Sequence, residues 1–581
     1  MSVIYGDRYG YRDLFNDKPL DFKEYFKGIG KDDIEKITAS FVNFASPNNE
    51  YQNPKIMVCR WFCNENRHIR VNLLGKINEN NIIINILSSL RFLEFVKQSD
   101  FEEKSTKQDT EIEIDLFKAY LLLNTEQNRL EENIKKTLSQ SDDIIELGHE
   151  EILALHFKVS DLTSYDIKSL MFIQFIKSVE FFKYIESTKE LYHHLVLFLK
   201  KYNCNTWKEW LRRMLTIVYP IIEKDTTSYC DYTIPKDSNF ESTCMFFDSL
   251  TINDKNDFSE KDFINLRNNP ILRIDLGQYR ILSVLFLVEK IFKSIQFKFS
   301  KEINEELPAE FQLKNFRSLH CDKFSEKILF CSVLQKTFPK KNWVHKSDVD
   351  FKNCGYKKGV PDYYIRFENK VFLFENKDVV LNGLEKQSYD YQKLKNALCE
   401  KFYKSYDGNK EKNEAVLQLV ENIKRILEIY YHKCDKGYNP KNIKIYPILV
   451  VQDRQFDSLG LNQLILKWFN VELLKLKNDY NITNIKPITV VNIDTLIQYQ
   501  LFFKMRGNNR IEKLISDYHE KIKVQPLKNK NPEVNINSIL NSSQSFSLFM
   551  DNEIRKRKLK IMPLDLIEYL KELKEEKAQT G

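Results

Sequence analysis

Apolar residues in the first 300 positions recur at helical spacing. In Ile82–Val96 they fall at Ile82, Leu87, Leu90, Phe92, Leu93 and Val96, a broad stripe on one side of a helix. Phe117–Leu123, Ile167–Tyr184, Leu191–Leu199 and Ile281–Phe292 repeat the pattern, with widths suited to helices packed on helices. The breaks between them are polar: Lys97–Glu113 is charged, and Asp225–Asp262 holds clusters of Thr, Ser, Asp and Asn. No repeat of about 20 to 50 residues emerges, so a solenoid is not expected.

After about residue 315 the texture changes. Phe324–Phe338 predicts a helix stopped by Pro339. Short β-rich runs follow at Trp343–Val349, Asp362–Phe367, Val371–Glu375, Ile443–Val451 and Ile488–Val491. Helical segments at Leu384–Tyr406 and Glu414–Tyr431 lie between them, and another helix begins after Ile493. Helix, three strands, helices and further strands make an α/β pattern. Val524–Ser545 is polar, with Pro526, Pro532 and an Asn/Ser run, and reads as a linker; Leu548–Lys577 predicts helix interrupted by Pro563. The expected organisation is α+β and multidomain: a mainly helical region at 1–300 for recognition or assembly, an α/β domain with a central mixed sheet at 315–520, a linker at 524–545 and a helical element at 546–581.

Composition narrows the class. A hydrophobic fraction of 42% with 13% aromatics suffices for a sizeable core and excludes a disordered chain. Only 15 Gly and 15 Pro in 581 residues exclude collagen-like and Pro-rich architectures. The longest apolar run, Ile281–Val288, is broken by Ser283 and closed by Glu289 and Lys290. No stretch approaches the roughly 18 to 20 apolar residues of a membrane span, so no membrane association is expected. The N-terminus lacks a basic segment followed by an apolar one, and the 10 cysteines suggest no disulfide framework; a reducing cytoplasm is the expected location. A net charge of +7 permits nucleic-acid binding without arguing for it.

The chemistry concentrates in one stretch, Gly359-Val-Pro-Asp-Tyr-Tyr-Ile-Arg-Phe-Glu-Asn-Lys-Val-Phe-Leu-Phe-Glu-Asn-Lys377. Glu368-Asn369-Lys370 is a polar turn between two β-rich runs. Val371–Phe374 is apolar at every position, as in a strand covered on both faces. Such a strand ending in Glu375-Asn376-Lys377 sends Glu375 and Lys377 to one face, and Pro361-Asp362 opens the neighbouring strand, so Asp362 can approach Glu375. Two carboxylates with a lysine beside them suit a hard cation such as Mg²⁺, which takes oxygen ligands and keeps several waters. A metal there lowers the pKa of bound water and stabilises charge on a phosphoryl oxygen, and a lysine orients the attacking water or stabilises the phosphorane.

This arrangement resembles the PD-(D/E)XK nuclease superfamily, the restriction-endonuclease-like group. Pro361-Asp362 matches the "PD" and Glu375-Asn376-Lys377 the "(D/E)XK", 13 residues after the aspartate. Family members often carry an acidic residue on the preceding helix; Glu326 stands there, on a stripe with Leu329, Phe330 and Val333. Downstream, Gln387-Ser-Tyr-Asp-Tyr391 is similar to the Gln-x-x-x-Tyr helix motif of the exonuclease-type branch. The resemblance covers roughly residues 315–520 and says nothing about 1–300. It implies phosphodiester hydrolysis, with DNA ranked first as substrate, and Mg²⁺ or Mn²⁺ as cofactor. Asp362 and Glu375 would hold the metal, Lys377 would orient or activate water, and Glu326 would add a ligand directly or through water. Gln387, Tyr391, Lys393 and Lys395, on a segment that interleaves lysines with aromatics, are the candidate nucleic-acid contacts. A prokaryotic anti-phage defence or restriction-like effector, alone, as a homo-oligomer or with a defence-system partner, fits this picture. The alternative is a non-catalytic nucleic-acid-binding or scaffold protein that keeps only the fold.

Other motifs weigh less. Cys59-Arg-Trp-Phe-Cys63 with His68 has no second Cys/His pair at zinc spacing, and the thiols read as buried beside Trp61 and Phe62. His193-His194 lies in an apolar helix. Arg555-Lys-Arg-Lys-Leu-Lys560 suits phosphate contact or, more simply, a solvated helix face. No phosphate-binding loop, dinucleotide-binding turn or nucleophile elbow occurs.

Overall fold

The structure, a computed structural model, describes residues 7–223, 229–253, 261–338, 343–356, 358–408, 410–504, 510–524 and 532–574. Ten strands form three sheets among these residues. Strands β1 (Asp231–Thr233), β2 (Ile271–Asp275) and β3 (Gln278–Ile281) make a small antiparallel sheet in order β1-β3-β2 within the otherwise helical N-terminal region. The main sheet uses β4 (Val344–Ser347), β5 (Tyr363–Phe367), β6 (Lys370–Lys377), β9 (Lys444–Val451) and β10 (Thr489–Asn492) in order β10-β9-β6-β5-β4. Between β6 and β9 in the chain, β7 (Lys404–Asp407) and β8 (Lys410–Asn413) form a separate two-stranded ribbon.

The main sheet is mixed. β4, β5 and β6 run antiparallel, whereas β9 and β10 run parallel to β6. A two-residue turn joins β5 to β6, with Phe367 opposite Lys370 and the positive φ falling on Glu368 at 52°. β6 is apolar in both registers because helices cover both faces. Phe372 and Phe374 join one core with Tyr363, Ile365, Tyr446, Ile448 and Val450, while Val371 and Leu373 join another with Tyr364, Ile445, Leu449 and Val451. The first core continues through the N-terminal helices and reaches Leu573; the second packs the helices Tyr391–Phe402, Ala415–Leu427 and Leu461–Lys475.

The helical N-terminal region is thus observed, but no boundary in the core separates 1–300 from the sheet. Eight buried or half-buried ionic groups also cross the junction. Asp161, Asp262, Glu289 and Asp453 interleave with Arg267, Lys293, Lys386 and Arg454, linked by Lys386–Asp161 at 2.6 Å, Lys386–Asp262 at 2.8 Å, Lys293–Asp161 at 3.0 Å, Lys293–Asp453 at 3.3 Å, and Arg267–Glu289 and Arg454–Glu289 at 3.4 Å. Four charges of each sign balance, as burial requires.

Several sequence expectations are corrected. The segment expected as a linker contains the helix Pro532–Ser542, whose Ile539 packs close to Gly148; its Ser and Gln residues at 542–545 are buried. The Ser542 hydroxyl pairs with His149 at 2.7 Å, a long-range contact that local polarity cannot reveal. Ile281–Phe292 is not one helix: β3 ends at Ile281, and Ser283 caps a helix over Val284–Glu289. The strand expected to Val349 stops at Ser347, which forms a capping box with Asp350 and starts the helix Asp348–Asn353. The helix expected to Tyr406 ends at Phe402, before β7. Pro339 lies outside the described residues.

At the turn end of the hairpin, Arg366 grips Asp435 with two bonds of 2.6 and 2.8 Å, and the Tyr364 hydroxyl donates to the same carboxylate at 2.8 Å. Burial would raise the Asp435 pKa, but Arg366, the Gly437 N–H and Tyr364 outweigh it and hold the carboxyl below its ordinary value. The stabilisation is therefore present above the unfolded value near 3.9 and is lost as pH falls through the lower folded value. Asp435→Asn is expected to cost about 2 to 3 kcal/mol at pH 7, read as a lower urea midpoint, and to flatten the loss of stability below about pH 4.

Candidate active site

β5 and β6 place the two carboxylates. Tyr363 pairs with Phe374, so the next step of the register sets Asp362 opposite Glu375, and alternation returns Lys377 to the same face. Asp362 is anchored by the Asn376 backbone N–H, which donates to its Oδ2 at 2.7 Å. Gly359, three residues upstream, has φ +67° and sits under the Arg425 guanidinium, leaving no room for a Cβ as the chain enters β5. Glu375 is only 4% exposed, because β6 remains inside the sheet as far as its end.

Lys377 Nζ lies 3.4 Å from Glu375 Oε1 and 3.3 Å from Glu414 Oε2, and donates to Gln418 Oε1 at 2.8 Å. Glu414 and Gln418 are one turn apart at the start of the helix Ala415–Leu427 and so present one face to the lysine. Burial would lower the Lys377 pKa, but Glu375, Asp362 and Glu414 override it and keep the ammonium charged.

Glu326 comes from a continuous helix over 316–337 whose central turn, His320–Phe330, is π-helical. The wider turn re-aims side chains relative to an α-helix, a device frequent at functional sites. Asp378, the residue after Lys377, clamps this helix: Arg317 donates to its Oδ1 at 2.6 Å, and the Ser325 hydroxyl donates to Oδ2. Burial and the charges of Asp362 and Asp348 push the Glu326 carboxyl up to about 7. Burial pushes Asp362 up to about 6 against the Asn376 N–H and Lys377, and burial together with the Asp362 charge drives Glu375 well above its usual range.

Asp362, Glu375 and Lys377 therefore meet at the C-terminal end of β6, with Glu326 on the neighbouring helix within their electrostatic reach. Sequence reasoning missed Asp348, which stands in the same field and pairs with Lys352 at 2.7 Å, as well as Asp378, Glu414 and Gln418. The capping pattern Ser347-x-x-Asp350 was the one available signal, since it ends β4 and puts Asp348 in a first helical turn.

The downstream residues go elsewhere. Gln387 donates to Asp262 at 2.9 Å and belongs to the buried ionic network. Tyr391 is 1% exposed, with its backbone N–H on Thr137, so it serves the core rather than a stacking surface. Lys395 turns to Ser139 at 3.3 Å and Glu150 at 3.7 Å; Lys393 alone of the four is exposed. Cys59 is exposed rather than buried, and Cys63 half-buried. His194 is buried against Asn304 at 2.9 Å, and His193 stacks on Phe311. The basic run Arg555–Lys560 is exposed throughout, at the end of the helix Phe546–Lys556.

Among the described residues, no three His, Cys, Asp or Glu side chains group closely enough to cage a metal. Asp362 and Glu375, facing each other across the hairpin, are the side chains that would hold a hard cation such as Mg²⁺ or Mn²⁺, which is bound through one or two carboxylates and retains water. Among the described residues no helix is long and apolar enough to cross a membrane. No family model, curated protein or solved structure matches the chain.

The raised carboxyl values carry a sign. A carboxyl whose folded pKa is raised weakens the fold above its unfolded value near 4, and the penalty is relieved as pH falls through about 7 to 4. Glu375→Gln is therefore expected to unfold at a higher temperature than the wild type in EDTA at pH 7.5. Mn²⁺ titrated by calorimetry is expected to bind the wild type and neither Glu375→Gln nor Asp362→Ala.

Proposed function

We propose that this chain is a divalent-metal-dependent nuclease that hydrolyses phosphodiester bonds in DNA. The observation that carries this reading is the meeting of Asp362 and Glu375 across a hairpin, with Lys377 on the same face and Glu326 approaching from the helix before it. That helix, three antiparallel strands, intervening helices and a parallel fourth strand support a restriction-endonuclease-like fold for this part of the chain.

In this reading Asp362 and Glu375 hold Mg²⁺ or Mn²⁺, with Glu326 as a further ligand directly or through water. The bound ion supplies an acidified water and offsets charge on the phosphoryl oxygen. Lys377, charged and held by Glu414 and Gln418, orients the attacking water or stabilises the pentavalent phosphorane. The Asn376 N–H fixes the Asp362 carboxylate, and Asp378 holds the helix that brings Glu326.

Asp362→Ala, Glu375→Ala and Lys377→Ala are each expected to lower cleavage of plasmid and linear duplex in Mg²⁺ or Mn²⁺ by 100-fold or more, with the circular dichroism spectrum unchanged. Full cleavage by any of the three removes that residue from the site. Nucleic-acid binding that needs no metal, with no cleavage of DNA or RNA under any of these conditions, favours the non-catalytic scaffold.

A further inference from the structure

The β7–β8 ribbon is the part of the nuclease-like region that the two cores leave out. Its register pairs Lys404 with Asn413, Ser405 with Lys412, Tyr406 with Glu411 and Asp407 with Lys410. All four β8 residues are exposed, and Tyr406 is 66% exposed. A lone two-stranded ribbon without an apolar face is marginal in water, so its own contacts do not explain why it is there.

Its position does. The ribbon leads directly into Glu414, whose carboxylate accepts from the Ser405 hydroxyl at 2.8 Å, lies 3.5 Å from Lys412 Nζ and reaches Lys377 at 3.3 Å. Alternation puts Ser405, Lys412, Asp407 and Lys410 on one face, the face that turns to Glu414. Lys412 and Lys410 thus form a line running outward from Lys377. On the other face, Lys404 pairs with Glu411 at 3.2 Å, beside Tyr406.

We infer that this ribbon docks double-stranded DNA and leads its backbone to the site at the end of β6, an inference that rests on the nuclease reading. Lys410 and Lys412, on the face that turns to Glu414, contact phosphates. The major groove of B-form DNA is about 12 Å wide and admits a two-stranded ribbon, whereas the A-form groove of duplex RNA is too deep and narrow.

The test uses the full chain with Asp362→Ala to prevent cleavage, and a fluorescent 20-base-pair DNA duplex followed by anisotropy across a salt series. Adding Lys410→Ala and Lys412→Ala is expected to weaken binding about 10-fold at low salt. The slope of log K against log salt should fall by about 1.8, two phosphate contacts' worth. Tyr406→Ala, on the opposite face, is expected to leave affinity and slope unchanged. Unchanged affinity and slope in the lysine variant, while the wild type still cleaves duplex DNA, overturn the ribbon assignment and leave the nuclease reading standing. Tighter binding of duplex RNA or single-stranded DNA than of the DNA duplex overturns the groove assignment. No binding of any nucleic acid, with no cleavage by the wild type, overturns both.

Discussion

Strand β6 lies between β5 and β9 with apolar side chains pressed into helices on both faces. Its backbone can bond only within the sheet, and charge can appear only where the strand ends. That end carries Glu375, Asn376 and Lys377. Asn376 turns to the opposite face, where Gln452 donates to its side chain at 2.7 Å, while its N–H holds Asp362. A single residue between the two charged ones thus serves both faces. The depth that makes the sheet stable also makes its terminal carboxylates costly to ionise, a cost that a bound cation would offset in the proposed reading.

The surroundings of the site are arranged to hold it still. Asp378 ties the strand end to the helix bearing Glu326, and Glu414 with Gln418 ties Lys377 to the helix that follows the ribbon. The eight-group ionic network lies behind, joining residues just beyond β6 and β9 to the N-terminal helices through Lys386 and Asp453. Buried ion pairs add little net stability compared with apolar packing, but removing one member strands the rest. Such a network specifies how the helical region seats on the sheet, which packing alone would specify less sharply.

The strands of the main sheet were legible in the sequence because they obey local rules. Val371–Phe374 is continuously apolar, Ile443–Val451 nearly so, and the polar triplet 368–370 marks the turn; each observed strand end lies within two residues of its expected position. Hairpin arithmetic then put Asp362 beside Glu375. The ribbon β7–β8 was not legible, because Lys-Ser-Tyr-Asp and Lys-Glu-Lys-Asn carry no apolar alternation. The supposed linker was hidden for a related reason: Ser542 finds its partner, His149, 393 positions away.

What the amino-acid order determined by itself is the central strand, its hairpin and the charged residues at its end, since these depend on neighbours within about 15 positions. What only the tertiary structure decided is the company those residues keep. Asp348, Glu414 and Gln418 reach the site from other segments, and Gln387, Tyr391 and Lys395 turn away from it into the N-terminal helices. The reason is physical: a polar side chain takes its partner from whatever the folded core brings within hydrogen-bond reach, and sequence spacing carries no record of that choice.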